Sequence, residues 1–481
     1  MGISARFALG EIKEHKIIYT IIILVIALTM SSFLLENAYL SYMMQVVNET
    51  TKLVTCDAVI TNGDCDIRDI YGSETTITHA GEIARAIEEK LPGYKAAVRV
   101  TAQATYGIGS KEEPADGCTL QGIDPVKDPN ADSLRRKIVK GRFFDENDDF
   151  LRGHTPMYIK LRVPGNLPDI IYGSAQRILV KEKPYPVIAG LAASKVHPSI
   201  IDVGKELDLL ISMEPRGTSY AAVRVKIIGL YESGTPTADA MIWFMHADSL
   251  REIKGYGNIT GKEWKIPGIG AVRGFNPIEI NRNIGDVVVV DAPEKRDYLN
   301  PFGESMKIKE NLRKVIPANM NIFTWHDFLV FVAGSMQDTI TFLIWGSMAV
   351  TLLLCAFAIK YVMDSIIIRK TREIGTLKAL GARDRTIFKI FMYQGIFIGS
   401  LSSIAGLLIS FLVINLVNMY EVKMKFIAGT QLKVGFVLDW FTIAVVVLVP
   451  ILLSIASASI PAKRASSMAP VEALRKGEAY L

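Results

Sequence analysis

The sequence contains few residues of the kinds that catalyse reactions or bind metals. It has only four cysteines and six histidines among 481 residues, and no two histidines have the H-E-x-x-H spacing of a zinc site. So few cysteines exclude a disulfide-rich scaffold. The pattern G-x-x-x-x-G-K-[ST], whose backbone amides hold nucleotide phosphates, is missing as well. We therefore expect this chain to bind no metal and to hydrolyse no ATP by that route.

Charge is also scarce, because only 21% of the residues are charged. The 54 basic and 49 acidic residues give a net charge of +5, which is too small to indicate a nucleic-acid-binding protein. Hydrophobic residues, in contrast, make up 50% of the chain, more than a soluble protein of this length needs for its core. The composition predicts a membrane protein.

Four hydrophobic stretches are long enough to cross a membrane. A helix of about 20 apolar residues spans the hydrocarbon core, and this length is reached by the segments 17–36, 338–360, 390–420 and 440–462. The first stretch is too long for a signal peptide, and no A-x-A-type cleavage site follows it. We interpret it as an uncleaved anchor of a multi-pass protein of the cell membrane.

Lysine and arginine residues predict the orientation of these four helices. Short loops rich in these residues stay in the cytoplasm, and three such segments occur here, at 1–16, 361–389 and 463–481. Both termini are therefore predicted to be cytoplasmic. The segment 37–337 then forms a large extracytoplasmic domain between helices 1 and 2, and 421–439 forms a short external loop.

The outer segment has the pattern of a folded α+β domain. Strand-like runs lie at 53–60, 94–108, 185–191, 220–231 and 286–292. Helices are predicted over 79–91 and 306–316, where apolar residues recur on one face. The stretch 144–186 is rich in proline, glycine and acidic residues, which indicates an insertion or a boundary between two lobes.

The outer domain offers little that indicates catalysis. Ser194, His197 and Asp202 are close in sequence, but no nucleophile-elbow motif surrounds the serine, so we interpret them as ordinary loop residues. The acidic run 145–149 lacks the glycine and the terminal glutamate of a calcium loop, which favours a solvated surface over a cation site. An enzyme acting at the outer face is therefore disfavoured.

Two cysteines and two asparagines of the outer domain are candidates for covalent modification. Cys56 and Cys65 lie in a compartment where disulfide bonds persist, and a local bridge and two buried free thiols are equally compatible with them. Asn48 and Asn258 match the glycosylation acceptor pattern, which is common by chance.

Small residues line one face of the third predicted span. Gly395, Gly399 and Gly406 recur there with serines between them, and such a stripe lets helices approach closely. Two alternatives remain open, namely packing against helices of the same chain and an interface with a second subunit.

The cytoplasmic loop contains the most distinctive motif, which reads REIGTLKALGA from Arg372 to Ala382. Ile374, Leu377 and Leu380 predict an apolar ridge on a short helix, and Gly381 predicts its end. A short amphipathic helix serves either as an anchor on lipid headgroups or as a docking surface for a cytosolic partner. The residues alone do not decide between these two roles.

This motif closely resembles the one after the second span in the MacB/FtsX-like family of ABC transporter permeases, which includes the LolC/LolE type. The tail segments 461–465 and 470–475 look like the closing signature of that family. The order of one span, a large outer domain and three further spans is similar too. Unlike MacB, this chain contains no fused ATPase motif.

The resemblance implies a cytosolic ABC ATPase partner that binds ATP and Mg, and a second permease chain in a homodimer or heterodimer. It also implies an extracytoplasmic cargo or adaptor. Matching the family's coupling motif assigns ATPase coupling to Arg372, Glu373, Ile374, Gly375, Leu377, Lys378 and Gly381. The function implied is a permease subunit that couples ATP hydrolysis by its partner to export, extraction or mechanical work at the outer face. The alternative is an FtsX-type regulator that recruits or activates an extracytoplasmic protein.

Overall fold

The computed structural model divides into two compact units. The hydrophobic unit comprises the described residues within 1–44, 336–422 and 433–481 and contains the long hydrophobic helices. The outer unit comprises those within 45–335 and 423–432 and contains a large mixed sheet. The described residues are 16–67, 76–107, 116–145, 147–161, 183–213, 219–266, 270–293, 301–328, 364–420, 422–425 and 431–469, together with isolated positions between 330 and 361. The predicted N-terminal segment 1–16 and the end of the predicted tail 463–481 therefore lie largely outside the described residues.

Helices and strands are numbered here in chain order. The helices are α1 (Lys16–Thr55), α2 (Ala80–Lys90), α3 (Ala131–Arg136), α4 (Leu191–Val196), α5 (Pro236–Met241), α6 (Ala247–Lys254), α7 (Pro301–Arg313), α8 (Thr371–Ala379), α9 (Asp384–Met419) and α10 (Trp440–Ser467). The first nine strands are β1 (Ala58–Asn62), β2 (Lys95–Tyr106), β3 (Asp116–Ile123), β4 (Ile138–Gly141), β5 (His154–Thr155), β6 (Tyr158–Leu161), β7 (Tyr185–Gly190), β8 (Glu206–Ser212) and β9 (Ser219–Tyr231). The others are β10 (Ile242–His246), β11 (Gly257–Ile259), β12 (Glu263–Ile266), β13 (Gly270–Arg273), β14 (Asn276–Ile280), β15 (Val287–Asp291), β16 (Met320–Thr324), β17 (Lys423–Lys425) and β18 (Gln431–Lys433).

Three of these helices, α1, α9 and α10, are long and apolar enough to cross a membrane. The predicted span 17–36 lies within α1, and the spans 390–420 and 440–462 coincide largely with α9 and α10. Most of the predicted span 338–360 lies outside the described residues, so the count of four spans stays a prediction. The membrane borders of all the segments, including the loops 361–389 and 421–439, stay predictions as well.

Helix α1 continues well beyond the hydrophobic stretch that predicted it. Hydropathy falls at Glu36, but the residues that follow include no proline or glycine, so the backbone stays helical to Thr55. The strand predicted over 53–60 is therefore wrong in its first part, and β1 begins only at Ala58. Helix α9 likewise begins at Asp384, before the predicted start of the third span.

The hydrophobic unit has its own buried cluster of side chains from α1, α9 and α10. Ile26 of α1, Ile398 of α9 and Ala458 of α10 are almost fully buried in it. The same cluster includes Ile374 of α8, so the short loop helix packs on the membrane helices of its own unit.

The outer unit is built on a 13-stranded mixed sheet, in the order β12-β13-β6-β9-β7-β10-β3-β2-β15-β1-β16, with β4 and β8 paired off this path. The long strand β2 pairs with β15 through Lys95–Arg99 and with β3 through Val100–Tyr106. Helices are interspersed among runs of consecutive strands, and the sheet contains parallel and antiparallel pairs, as the α+β prediction expects. The strands predicted over 94–108, 185–191, 220–231 and 286–292 are confirmed as β2, β7, β9 and β15.

Two main hydrophobic clusters occupy the outer unit. The larger contains Val100, Leu120 and Trp243, and the other contains Ala96, Ile87 and Ile308. The predicted helices over 79–91 and 306–316 are found as α2 and α7, the second of which begins earlier and ends at Arg313. Of the predicted boundary 144–186, the part from 162 to 182 lies outside the described residues.

Candidate functional site

The loop helix α8 has one buried face. Thr371, Ile374 and Gly375 are buried, and Ile374 contacts a cluster that includes Ile387 and Phe391 of α9. Gly375 belongs to this buried face. These residues fix the orientation of α8 within the hydrophobic unit.

The end of α8 is formed by the glycine that the sequence predicted to stop it. Gly381 has φ +93°, a left-handed conformation that glycine adopts without steric cost. The Gly381 N–H donates to the Lys378 carbonyl oxygen at 3.0 Å, and the Ala382 N–H donates to the Leu377 carbonyl oxygen at 3.0 Å. These bonds satisfy carbonyl groups of the last turn, which the helix itself leaves unpaired.

Lys378 ties α8 to the ends of two membrane helices. Its Nζ donates to the carbonyl oxygens of Ser466 at 2.6 Å and Met468 at 2.7 Å, at the C-terminal end of α10. It also lies 2.9 Å from Asp384 Oδ1 in the first turn of α9. A cation is favoured at a helix C-terminus because the unpaired carbonyls there carry partial negative charge. The side chain is only 9% exposed, so its ammonium group is directed to its own chain.

Glu373 also has a partner in the same chain. Lys370 Nζ donates to Glu373 Oε1 at 3.1 Å and to Oε2 at 3.0 Å, one turn apart on the helix surface. The Lys370 side chain is nearly buried, whereas that of Glu373 is 57% exposed. The carboxylate is therefore held in one orientation and still faces outward.

The remaining residues form an exposed face of α8, here called the α8 surface. It consists of Arg372, Glu373, Thr376, Ala379 and Leu380, all of them exposed. Leu380 is 81% exposed, so its side chain points outward. The apolar ridge predicted from Ile374, Leu377 and Leu380 is therefore wrong in one member, because the helix ends before Leu380 and turns it away from the cluster.

The small-residue stripe of α9 faces other helices of the same chain. A Cβ added at Gly395 would lie 2.9 Å from Ala458 Cβ, and one at Gly399 would lie 2.9 Å from Ile451 Cα, both on α10. At Gly406 it would lie 3.1 Å from the Ala27 carbonyl oxygen on α1. This geometry favours packing within the chain over the subunit interface.

Cys56 and Cys65 form no disulfide bond with each other, so the structure has the second of the two alternatives, two buried thiols. The Cys56 Sγ lies 3.1 Å from Asn130 Nδ2, whereas the Cys65 Sγ donates to the Asp66 carbonyl oxygen at 3.3 Å. Each thiol therefore faces its own polar neighbours, and burial raises the pKa of the Cys56 thiol.

The other outer-domain candidates have polar partners outside their own group. Asp202 accepts hydrogen bonds from Lys140 at 2.6 and 2.8 Å, and His197 Nε2 lies 3.3 Å from Asp116.

The acidic run 145–149 is paired with basic residues where it is described. Asp148 pairs with Arg142, and Asp149 lies 3.3 Å from Lys183. Among the described residues, no group of three His, Cys, Asp or Glu side chains could hold a metal ion. Asn258 is exposed in β11, and the side chain of Asn48 lies outside the described residues.

Comparison with known proteins relates the C-terminal part of the chain to one family. Residues 345–470 match the family described as FtsX-like permease C-terminal. An uncharacterized ABC transporter permease of Methanocaldococcus jannaschii is 26% identical over 283 residues, which is 53% of this chain and 70% of that protein. The macrolide export ATP-binding/permease protein MacB of Bdellovibrio bacteriovorus is 25% identical over 205 residues, which is 40% of this chain and 29% of MacB.

One solved structure is similar to this chain only at a low level. The periplasmic region of MacB from Actinobacillus actinomycetemcomitans has 11% sequence identity and a TM-score of 0.27, covering 57% of this chain and 91% of that one. The sequence relatives and the family match therefore carry the assignment. They confirm the resemblance that the loop and tail motifs indicated: residues 345–470 match the FtsX-like permease C-terminal family, and the chain is similar in sequence to proteins named ABC transporter permease and MacB.

Proposed function

We propose that this chain is a permease subunit that couples ATP hydrolysis by a separate ATPase subunit to export, extraction or mechanical work at the outer face of the membrane. The observation that carries the proposal is the α8 surface, an exposed face with an outward leucine on a helix whose other face is fixed to α9 and α10. The ATP and Mg would be bound by the partner, and this chain contributes a docking surface.

The contacts of Lys378 make α8 suitable for passing on a movement. The ammonium group joins the loop helix to the C-terminal carbonyls of α10 and to the first turn of α9. A push on α8 therefore displaces the ends of both membrane helices instead of bending a free loop. In this view Lys378 and Gly381 shape and hold the helix, whereas Arg372, Glu373 and Leu380 meet the partner.

A lipid anchor is the competing role for the same helix. An anchor binds through its apolar area and positive charge, and a carboxylate such as Glu373 is unfavourable near anionic lipid. Here the apolar side chain Ile374 is buried inside the protein and is not available to lipid. Leu380 is the one large apolar side chain of the α8 surface, which is little for a membrane contact but enough for one anchor residue in a pocket of a protein partner.

The test is the substitution Leu380→Asp, compared with Leu380→Met as a matched control. If α8 docks on an ATPase, Leu380→Asp releases the ATPase during purification of the membrane complex, and Leu380→Met retains it. Insertion and yield of the permease should be equal in both variants, because Leu380 makes no buried contact. Full retention of an active ATPase by Leu380→Asp would contradict docking through this surface.

A further inference from the structure

The C-terminal end of helix α1 is capped by a buried arginine from strand β2. The last carbonyl groups of a helix have no partner within it. Here Arg99 Nη1 donates to the Val54 carbonyl oxygen at 2.5 Å and to that of Leu53 at 3.4 Å. Asn130 Nδ2 adds hydrogen bonds to the carbonyl oxygens of Lys52 and Leu53. The helix end is therefore held by two side chains of the outer unit.

The guanidinium group of Arg99 is itself fixed by an acidic partner. Arg99 Nε donates to Asp128 Oδ2 at 2.6 Å and Nη2 to Asp128 Oδ1 at 2.8 Å, which is the two-bond geometry of a strong ion pair. Gln121 Oε1 accepts a further bond at 3.0 Å. Both charged side chains are only 1% exposed. A pair this deeply buried gains little net stability, so its fixed geometry is the more informative property.

Two further side-chain contacts hold the last turns of α1 against the outer unit. Thr50 Oγ1 lies 2.8 Å from Thr235 Oγ1 in the turn before α5. Lys52 Nζ lies 2.9 Å from Asp291 Oδ1 at the end of β15. These contacts set the direction of the last turns, while Arg99 sets the position of their end.

We propose that Arg99, fixed by Asp128, is a positioning residue that fastens the end of α1 to the sheet of the outer unit, so that a displacement of this helix passes into β2. Strand β2 carries Arg99 at the point where its pairing changes from β15 to β3, and it contributes side chains to both hydrophobic clusters. The inference rests on the proposed function only in that ATP hydrolysis by the partner would be the source of the helix displacement. The fastening itself is a property of this chain alone.

Cys56 provides a natural reporter of this contact. It follows directly after α1 with φ +55°, is fully buried, and its Sγ lies 3.8 Å from Arg99 Nη2 as well as close to Asn130. If the end of α1 leaves Arg99, this thiol becomes accessible. Cys118 is a buried free cysteine in the large cluster of the outer unit, so it reports general unfolding.

The decisive variant is Arg99→Met with Asp128→Leu in the full-length chain. The single change Arg99→Met leaves a buried carboxylate without its cation, which by itself can prevent folding. The double change removes both charges and keeps apolar bulk, so the sheet can fold while the helix end loses its cap. The matched control is Arg224→Met with Asp208→Leu, because that pair also has two bonds, at 2.8 and 3.1 Å, but joins β8 to β9 away from α1.

We expect a maleimide reagent to label Cys56 at least tenfold faster in the Arg99/Asp128 double variant than in the wild type, with Cys118 unchanged. The control double variant should leave both rates unchanged. A Cys56 that stays protected in the Arg99/Asp128 variant would overturn the proposal. An equal rise at Cys56 and Cys118 would overturn it too, because the pair would then support only general stability.

A second measurement addresses transmission in the complex with the ATPase. Hydrogen exchange of β2 and β3 should change on addition of ATP in the wild type, and this change should be lost in the Arg99/Asp128 variant while ATPase binding is kept. A variant that responds like the wild type would overturn the transmitting role. A wild-type complex with no response to ATP would contradict the proposed function, and the labelling result would still decide the fastening.

Discussion

Gly399 on α9 lies directly against Pro450 on α10, so that a Cβ at the glycine would stand 2.9 Å from the proline carbonyl oxygen. Real Cβ atoms do not approach backbone oxygens this closely. The distance gives the small-residue stripe a specific role, namely to let the backbone of α9 approach the backbone of α10 at Pro450.

The first prediction concerns this contact. Gly399→Leu should destabilise the chain by about 1–3 kcal/mol or more, because inserted methylene groups force the two helices apart. We expect a lower yield and a lower melting temperature of the monomeric chain in detergent. Leu408→Ala on the same helix is the control, since Leu408 is 65% exposed and should tolerate the change. A Gly399→Leu chain that folds normally and loses only dimer formation would point to the subunit interface instead.

The second prediction concerns the end of α8. Gly381→Ala should cost about 1 kcal/mol because φ +93° is strained for any residue with a Cβ. The cost is conformational, since no described atom lies within 4 Å of the added Cβ. Gly381→Asn should cost less, because asparagine tolerates left-handed backbone better.

Gly204 offers a matched comparison for that experiment. It has φ +86° in the outer unit, also with no described atom within 4 Å of an added Cβ. Gly204→Ala should lower the melting temperature by a similar amount and leave ATPase stimulation unchanged, whereas Gly381→Ala should lower both. Equal ATPase stimulation in the two variants would show that the ending of α8 does not matter for coupling.

The third prediction is a pH dependence of stability that originates at Asp239. Burial raises the pKa of this carboxyl group to about 6, while a hydrogen bond from Ser233 opposes the shift. Its pKa in the folded chain lies above the ordinary 3.8, so its contribution to stability is complete below about pH 4 and is lost as the pH rises through 6.

Asp239→Asn should therefore stabilise the chain at pH 7 by about 2 kcal/mol, and the gain should shrink at pH 5. The Asn oxygen can still accept the Ser233 N–H, so the local geometry is kept. Melting curves of the full chain at both pH values measure the difference. Asp202→Asn is the control, because the hydrogen bond from Lys140 lowers the pKa of Asp202 and the trend should not appear. The same gain at pH 5 and pH 7 would contradict the assignment to Asp239.

The fourth prediction concerns orientation in the membrane. Lys90 at the end of α2 and Thr376 on the α8 surface are both exposed, so single cysteines there are accessible to reagents. In intact cells an impermeant maleimide should label Lys90→Cys and not Thr376→Cys. After permeabilisation it should label both. Labelling of position 376 in intact cells would reverse the predicted orientation.

The elements that the sequence predicted well are those that local pattern determines. Helix α2 and strands β2, β7, β9 and β15 have regular apolar periodicity, and Gly381 ends α8 because few other residues adopt its φ. The length of α1 was not predictable from hydropathy, which indicates where lipid contact ends and not where hydrogen bonding of the backbone ends.

The partners of the key charges could not be predicted, because they are distant in sequence. Lys378 bonds with residues 88 and 90 positions away, and Arg99 reaches Asp128, 29 positions away, and the end of α1. Nothing in the alternating pattern of β2 distinguishes Arg99 from a solvent-facing arginine. For the same reason the motif around Glu373 indicated a docking helix, but it did not show which side chains of that helix bond within the chain and which are exposed.

The double pairing of β2 has a consequence for how the outer unit unfolds. Since one strand supplies backbone hydrogen bonds to β15 at its start and to β3 at its end, neither half of the sheet can melt without leaving part of this shared strand unpaired. Denaturation of this unit should therefore be a single cooperative transition. Proteolysis should yield either the intact unit or small peptides, because a stable half-domain would have to leave one half of β2 unpaired.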